Sequence, residues 1–255
     1  MLYCYRGGED MALNGIDVSH YQNGINLAKI SADFVIMKAT EATSFVDPCC
    51  DSHYQEAKGA GKLLGVYHFA RGTGTGKEEA DYFLKHCENY VGEAILVLDF
   101  EYTNQPNSNT VNWCKTWLDR VHEKTGIRPL IYMSHSATRH ADWSSVAKDY
   151  GLWVARYANN QIVYGYQKDP WLGTEGTGAF STVAIHQYTS TGRLPGWRNN
   201  LDLDIAYMSK DAWKKYACPN STGSSGGNIT SKEVTLKKGE TLIVKGCNGW
   251  KHGSN

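Results

Sequence analysis

The chain has no excess of charge of either sign. Its 26 Lys and Arg offset 26 Asp and Glu, so the formal net charge is zero. Without a basic excess, nothing points to nucleic acid or an anionic membrane surface as a partner. Long apolar runs are missing too: no stretch of about 18 apolar residues occurs, so membrane insertion is not expected. There is no cysteine framework. The seven Cys (4, 49, 50, 87, 114, 218 and 247) are odd in number, form no CxxC pair, and place Cys49 beside Cys50. That layout suits neither a disulfide scaffold nor a zinc knuckle, and favours free thiols made in a reducing compartment. The opening MLYCYRGGEDMALNG has no apolar core behind a basic end. It therefore reads as no secretory leader, and Met11 could serve as a second start. Nor is there a phosphate loop. RGTGTGK (71–77) misses the G-x-x-x-x-G-K-[ST] spacing, and IDVSHYQ is not a Gly-rich turn, so no nucleotide cofactor is expected.

What is present is a globular composition. The 255 residues are 41% hydrophobic and 20% charged, enough to bury a sizeable core. Short apolar, β-branched runs alternate with helical patterns. Strands are read at 14–19, 34–40, 63–70, 94–101, 129–134, 152–157, 183–189 and 201–207. Helices are read at 51–61, 77–90, 108–126 and 144–151, the third from an apolar stripe at 111, 114, 117, 118 and 121 followed by Gly126. The early strands alternate with helices and the late ones do not. This predicts an α/β fold: an eight-strand, TIM-like (β/α) barrel with its last helices missing, the alternative being an open doubly wound sheet. After Cys218 the composition changes. Residues 1–12 are expected to be an N-terminal extension, 13–217 the barrel, and 218–230 a Ser/Gly-rich linker. Residues 231–255 form a short appendage holding a hairpin around KKGE, possible as part of a wall-binding module but too small to be a stable domain alone.

In a barrel, chemistry sits at the C-terminal ends of the strands. Polar residues recur there: Asp17, Lys38, Tyr67, His68, Asp99, Glu101, Tyr132, Trp153, Arg156, Gln187, Asp202 and Asp204. The segment LVLDFE (96–101) stands out, because an aliphatic strand delivers Asp99 and Glu101 to its end. Two residues apart on a strand, they share a face with Cα atoms about 6.5–7 Å apart. Two carboxyls so close in a drying site cannot both ionise cheaply, so one becomes a proton donor near neutral pH. Alternatively the pair binds a metal, or is ion-paired to Lys38 or Arg156. His20, His68 and His186 are the available imidazoles, but none has H-x-H spacing, and each alone is more often a satisfied polar residue than a ligand. There is no G-x-S-x-G, and no Cys at a strand end, to supply another nucleophile.

The motifs GIDVSHYQ (15–22), FVIMKATEATSFVDP (34–48), GVYHFAR (65–71), VLDFEYTN (97–104), RPLIYMS (128–134), LWVARY (152–157) and HQYTSTGRLPGWRNNLDLD (186–204) resemble, in order, glycoside hydrolase family 25. These are the Chalaropsis-type lysozymes found among phage endolysins and bacterial autolysins, and the resemblance covers about residues 13–210. It implies a muramidase that cuts the β-1,4 bond between N-acetylmuramic acid and N-acetylglucosamine in peptidoglycan. It also implies a flattened, (β/α)5(β)3-like barrel. Carried over by position, Glu101 is the catalytic acid/base and Asp99 its partner, with Asp17 and Asp202 as two further acids. Tyr67, Tyr132 and Trp153 are expected to contact sugar, together with Gln187 and Tyr188 of the HQY segment. Asp99 is either a nucleophile or, as we prefer, the group that orients the substrate's own 2-acetamido oxygen for attack. The sequence departs from the family in having His186 where Trp is frequent, Asp204 where Asn is common and Ala42 where Gly is frequent. For Asp204 the expected role is hydrogen bonding that pins loops. No metal or other cofactor is implied. The expected protein is a monomer acting on the cell wall, as a phage lysin released by a holin or exported otherwise. A non-catalytic peptidoglycan-binding protein on the same scaffold is the alternative.

Overall fold

The computed structural model describes residues 12–103 and 105–219. The N-terminal extension up to residue 11, the linker beyond residue 219 and the 231–255 appendage lie outside them.

Eight strands form the barrel: β1 (Leu13–Val18), β2 (Phe34–Glu41), β3 (Leu63–Phe69), β4 (Ala94–Asp99), β5 (Leu130–Ser134), β6 (Gly151–Ala155), β7 (Ile185–Arg193) and β8 (Leu201–Ala206). From β1 to β7 each strand pairs in parallel with the next. β8 runs antiparallel to both β7 and β1 and closes the ring. Closure excludes the open doubly wound sheet. The reversed last strand has a simple cause. Only residues 194–200 separate β7 from β8, a connection too short for a parallel crossover.

Helices cover the outside: α1 (Cys50–Gly59) after β2, α2 (Gly76–Cys87) after β3, α3 (Ser108–Thr125) after β4, and α4 (His135–His140) and α5 (Ser144–Ala147) after β5. Their ends follow from local chemistry. Thr75 and Glu78 form a reciprocal capping box at the start of α2, and Asn107 caps α3. Gly126 ends α3 in the left-handed region at φ 74°, which a side chain would resist. Between β1 and β2 the chain makes only two 3-10 turns, and no helix lies between β6 and β7. Among the described residues no helix is long and apolar enough to cross a membrane.

Strand alternation sorts the core into two layers. Val35, Met37, Leu96, Leu98 and Ile131 face outward, where they meet Trp117 and Val121 of α3. Phe34, Ile36, Ile95, Val97, Leu130 and Ile185 face the interior. A helix not anticipated from sequence, α6 (Lys210–Ala217), lies beneath them. Its Trp213 packs on Phe34 with ring centroids 4.5 Å apart and donates through Nε1 to the Leu64 carbonyl at 3.1 Å. Gly15 makes room for this plug, since a Cβ there would come within 2.2 Å of the Phe34 ring. The lower half of the barrel is thus filled with apolar side chains.

The cysteines depart in part from expectation. Cys49, Cys50, Cys87 and Cys114 are buried free thiols, but Cys218 is disulfide-bonded, against the all-thiol expectation.

Candidate active site

The same alternation that buries the lower interior carries polar groups to the mouth. On β1 the inward positions run Leu13, Gly15, Asp17; on β4 they run Ile95, Val97, Asp99. On β7 Ile185 is followed by Gln187. Because β8 is reversed, its first residues, Asp202 and Asp204, come to the mouth while Ala206 lies deep. Strand register aligns these groups: Phe69, Asp99, Tyr132 and Trp153 are side-by-side partners across β3 to β6, and Asp17 faces Asp202. The result is a groove of about 300 Å³.

Glu101 lies two residues beyond the end of β4. The ladder nevertheless continues, because the Phe100 amide donates to the Tyr132 carbonyl at 2.9 Å. Phe100 is buried on the outer face against Trp143, which turns Glu101 back into the groove. Asp99 is 5% exposed, whereas Glu101 is accessible, as a group that meets substrate must be. Their carboxyls hydrogen-bond to each other. Burial pushes the Asp99 pKa well up, and the neighbouring charges of Glu101 and Asp17 add to this. Loss of water in the groove wall raises Glu101 as well, against the pull of Lys38 and Arg71. The pair therefore holds a shared proton. Across the groove, burial lifts Asp17 to about 6, with Gln187 and Asp204 opposing by hydrogen bonds. Burial and the nearby Asp17 and Glu101 lift Asp202 to about 8.

Hydrogen bonds tie the walls together. The Tyr132 and Tyr157 hydroxyls both donate to Gln187 Oε1, at 2.8 and 2.6 Å. Gln187 Nε2 donates to Asp17 Oδ2 at 2.7 Å. Trp153 stands edge-on to Tyr132, centroids 4.6 Å apart, and donates through Nε1 to Asp204 Oδ1 at 2.9 Å. At the rim, Lys38 bridges to Glu41 at 2.5 Å and lies 4.6 Å from the Phe69 ring centroid, while Arg71 reaches Glu41 at 2.7 Å.

Eight of the nine expected site residues line this one groove: Asp17, Tyr67, Asp99, Glu101, Tyr132, Trp153, Gln187 and Asp202. Tyr188 does not, and is a correction. It neighbours Gln187 on β7, so it must face the other way; it is buried in the outer layer, where its hydroxyl receives the Gln167 amide at 3.2 Å. The three imidazoles are dispersed. His68 faces outward between Thr40 and Glu79, each 2.8 Å away. His186 is bonded to the Arg156 carbonyl, and His20 to Asp47. Arg156 pairs with Glu175 rather than with the acid pair. Lys38 and Tyr157 line the groove without having been singled out as site residues. Their signal was only their place at strand ends. Asp204 is not a loop pin but an inward group below Asp202, fully buried.

Comparison with known proteins finds relatives of one family and one fold. The model of the family described as Glycosyl hydrolases family 25 matches residues 16–197. An N,O-diacetylmuramidase from a Chalaropsis species is 37% identical over 150 residues, which is 52% of this chain and 69% of that protein. Lysozyme M1 of Streptomyces globisporus is 29% identical over 208 residues, covering 74% of this chain and 66% of that one. The crystal structure of the bacterial lysozyme from Streptomyces coelicolor superposes with a TM-score of 0.69 at 26% identity, covering 80% of this chain and 96% of that chain.

Proposed function

Since the chain belongs to glycosyl hydrolases family 25, we propose that it is a muramidase acting on bacterial peptidoglycan. It is a glycoside hydrolase of lysozyme type, and its substrate places its action at the cell wall. The observation that carries the mechanism is the contact between Asp99 and Glu101 at the mouth of the barrel. Glu101, the accessible member, protonates the glycosidic oxygen as the bond to the anomeric carbon breaks. Two carboxyls that flank a sugar as acid and nucleophile stand about 5–5.5 Å apart. Here both project from one strand end into the same wall of the groove, so Asp99 is poorly placed to attack from the opposite face. It is better placed to hand the proton of the pair to Glu101 as the glycosidic oxygen is protonated and then, ionised, to accept the N–H of the substrate's 2-acetamido group and turn the acetamido carbonyl oxygen onto the anomeric carbon. Glu101, now ionised, then takes a proton from the water that opens the cyclic intermediate, and configuration is retained. Asp17 and Asp202 supply negative potential to the developing positive charge. Tyr67, Tyr132, Trp153 and Gln187 shape the walls that hold the sugar. The finer biological reading is a phage lysin that reaches the wall through a holin.

The test compares wild type with Glu101→Gln on purified Gram-positive cell walls, following turbidity and the identity of new reducing ends. The expected outcome is clearing by wild type with muramic acid at the new ends, and a loss of about 100-fold or more in the variant. Equal clearing by both removes Glu101 from the mechanism. Binding without sugar release by either makes the chain a wall-binding protein instead.

A further inference from the structure

Asp204 has a role that the acid pair does not explain. It is fully buried, its Oδ1 accepts from Trp153 Nε1, and its Oδ2 has no hydrogen-bond donor within reach. An anionic oxygen left in that state would be costly. A hydroxyl there would not be, because Asp17 faces inward on the adjacent strand β1, opposite Asp202 and one inward position along from Asp204, and offers a carboxyl to accept from it. We propose that Asp204 is a positioning residue for the reaction: a neutral carboxylic acid that donates to Asp17 and fixes it toward the groove.

The polarity of the surrounding bonds supports this assignment. The Trp153 indole can only donate, so Oδ1 is an acceptor. On the far side, Gln187 Oε1 takes two phenol protons, which leaves its amide protons to face Asp17. Asp17 thus receives a donor from Gln187, and the proton between the two carboxyls belongs to Asp204. The groups near Asp204 add no positive charge: Asp17 on β1, Asp202 on its own strand and the Tyr157 phenol at the groove, with the phenols of Tyr166 and Tyr188 in the outer layer. Burial, with Asp17 and Asp202 close by, pushes its pKa well above the carboxylate range. As pH rises and the proton leaves, Asp204 repels Asp17 and the constellation loosens.

The test uses Asp204→Leu and Asp204→Asn in the full chain, with kcat and KM on wall glycan measured across pH. Its activity arm rests on the muramidase reading. Asp204→Leu should lower kcat about tenfold with little change in KM, from loss of one buried hydrogen bond. Asp204→Asn, whose amide donates at every pH, should restore turnover and carry it further into the alkaline range. An infrared difference spectrum at neutral pH should show that Asp204→Asn loses one protonated-carboxyl C=O component of wild type, while those of the Asp99–Glu101 pair and of Asp202 remain. This readout stands even if wild type releases no sugar, an outcome that would sink the muramidase reading alone. The proposal is overturned if Asp204→Asn removes no such band, if it is as impaired as Asp204→Leu at every pH, or if Asp204→Leu matches wild type in turnover and pH profile. Should Asp204→Leu fail to fold, the Asn variant decides.

Discussion

Gln187 joins the two halves of the groove through one amide. Its oxygen takes the protons of Tyr132 and Tyr157, and its nitrogen holds Asp17. Gln187→Leu leaves two buried hydroxyls without an acceptor and Asp17 without a donor. A fall in kcat/KM of about 10- to 100-fold is expected, with a stability loss of about 1–3 kcal/mol. Kinetics on wall glycan together with thermal unfolding separate the two, and an unchanged kcat/KM would show that Asp17 needs no such support. Ala42 is the one described non-glycine residue with positive φ, at 50°, in the turn after β2. Its methyl group resists that conformation by about 1–2 kcal/mol, so Ala42→Gly should raise stability by up to about 1 kcal/mol, a Tm gain of roughly 2–4 °C. A lower Tm would mean that the added unfolded-chain entropy of glycine outweighs the relieved strain. At this scale the sequence was legible wherever period-two alternation decided the matter. Asp17 and Asp99 follow directly from it. Tyr188 failed because HQY offers neighbouring polar and aromatic residues, of which only the middle one can face inward. The role of Asp204 was not readable, because it depends on Trp153 and Asp17, far off in the chain.

Elements explain why the mouth is open and the base is closed. Trp213 of α6 supplies the largest side chain beneath the barrel, packed on Phe34 and bonded to Leu64. Trp213→Ala should cost about 3–5 kcal/mol, as removal of a buried aromatic does. The loss should appear as a lower denaturant midpoint, with KM for wall glycan little changed while the protein stays folded, since the groove lies at the other end. A midpoint within error of wild type would mean that α6 is not needed to close the base. The strands and the longer helices were legible because their apolar periodicity is strong. α6 was not, because KDAWKKYA buries only Trp213 and Ala217, too few points to form a stripe. α4, HSATRH, is equally poor in apolar residues. The reversal of β8 was latent in the absence of a helix before it, though which strand would reverse could be told only once the ring closed.

The whole molecule has no net charge, yet folding gathers Asp17, Asp99, Glu101, Asp202 and Asp204 at one mouth. Composition cannot disclose this segregation, because carboxyls such as Glu41, Asp119 and Glu175 are paired with cations elsewhere and held below the usual range. The two sets act on stability in opposite directions. Groups held low stabilise above the unfolded carboxylate pKa of about 4, and their contribution fades as pH falls below it. Groups held high stabilise below that value, and lose their contribution as pH rises through their folded pKa values, about 6 for Asp17 and about 8 for Asp202. Thermal stability should therefore peak on the acid side of neutrality and decline from about pH 5 to pH 8. Asp202→Asn removes one of the opposing charges. Because Asp202 is partly exposed, the relief is expected to be only about 1–2 kcal/mol, growing over that same interval. Unfolding curves of wild type and variant at half-unit steps of pH should show the variant gaining on wild type toward pH 8. If they instead run parallel from pH 5 to 8, the crowded mouth is not what weakens the fold in alkali, and Asp202 is ionised there without strain.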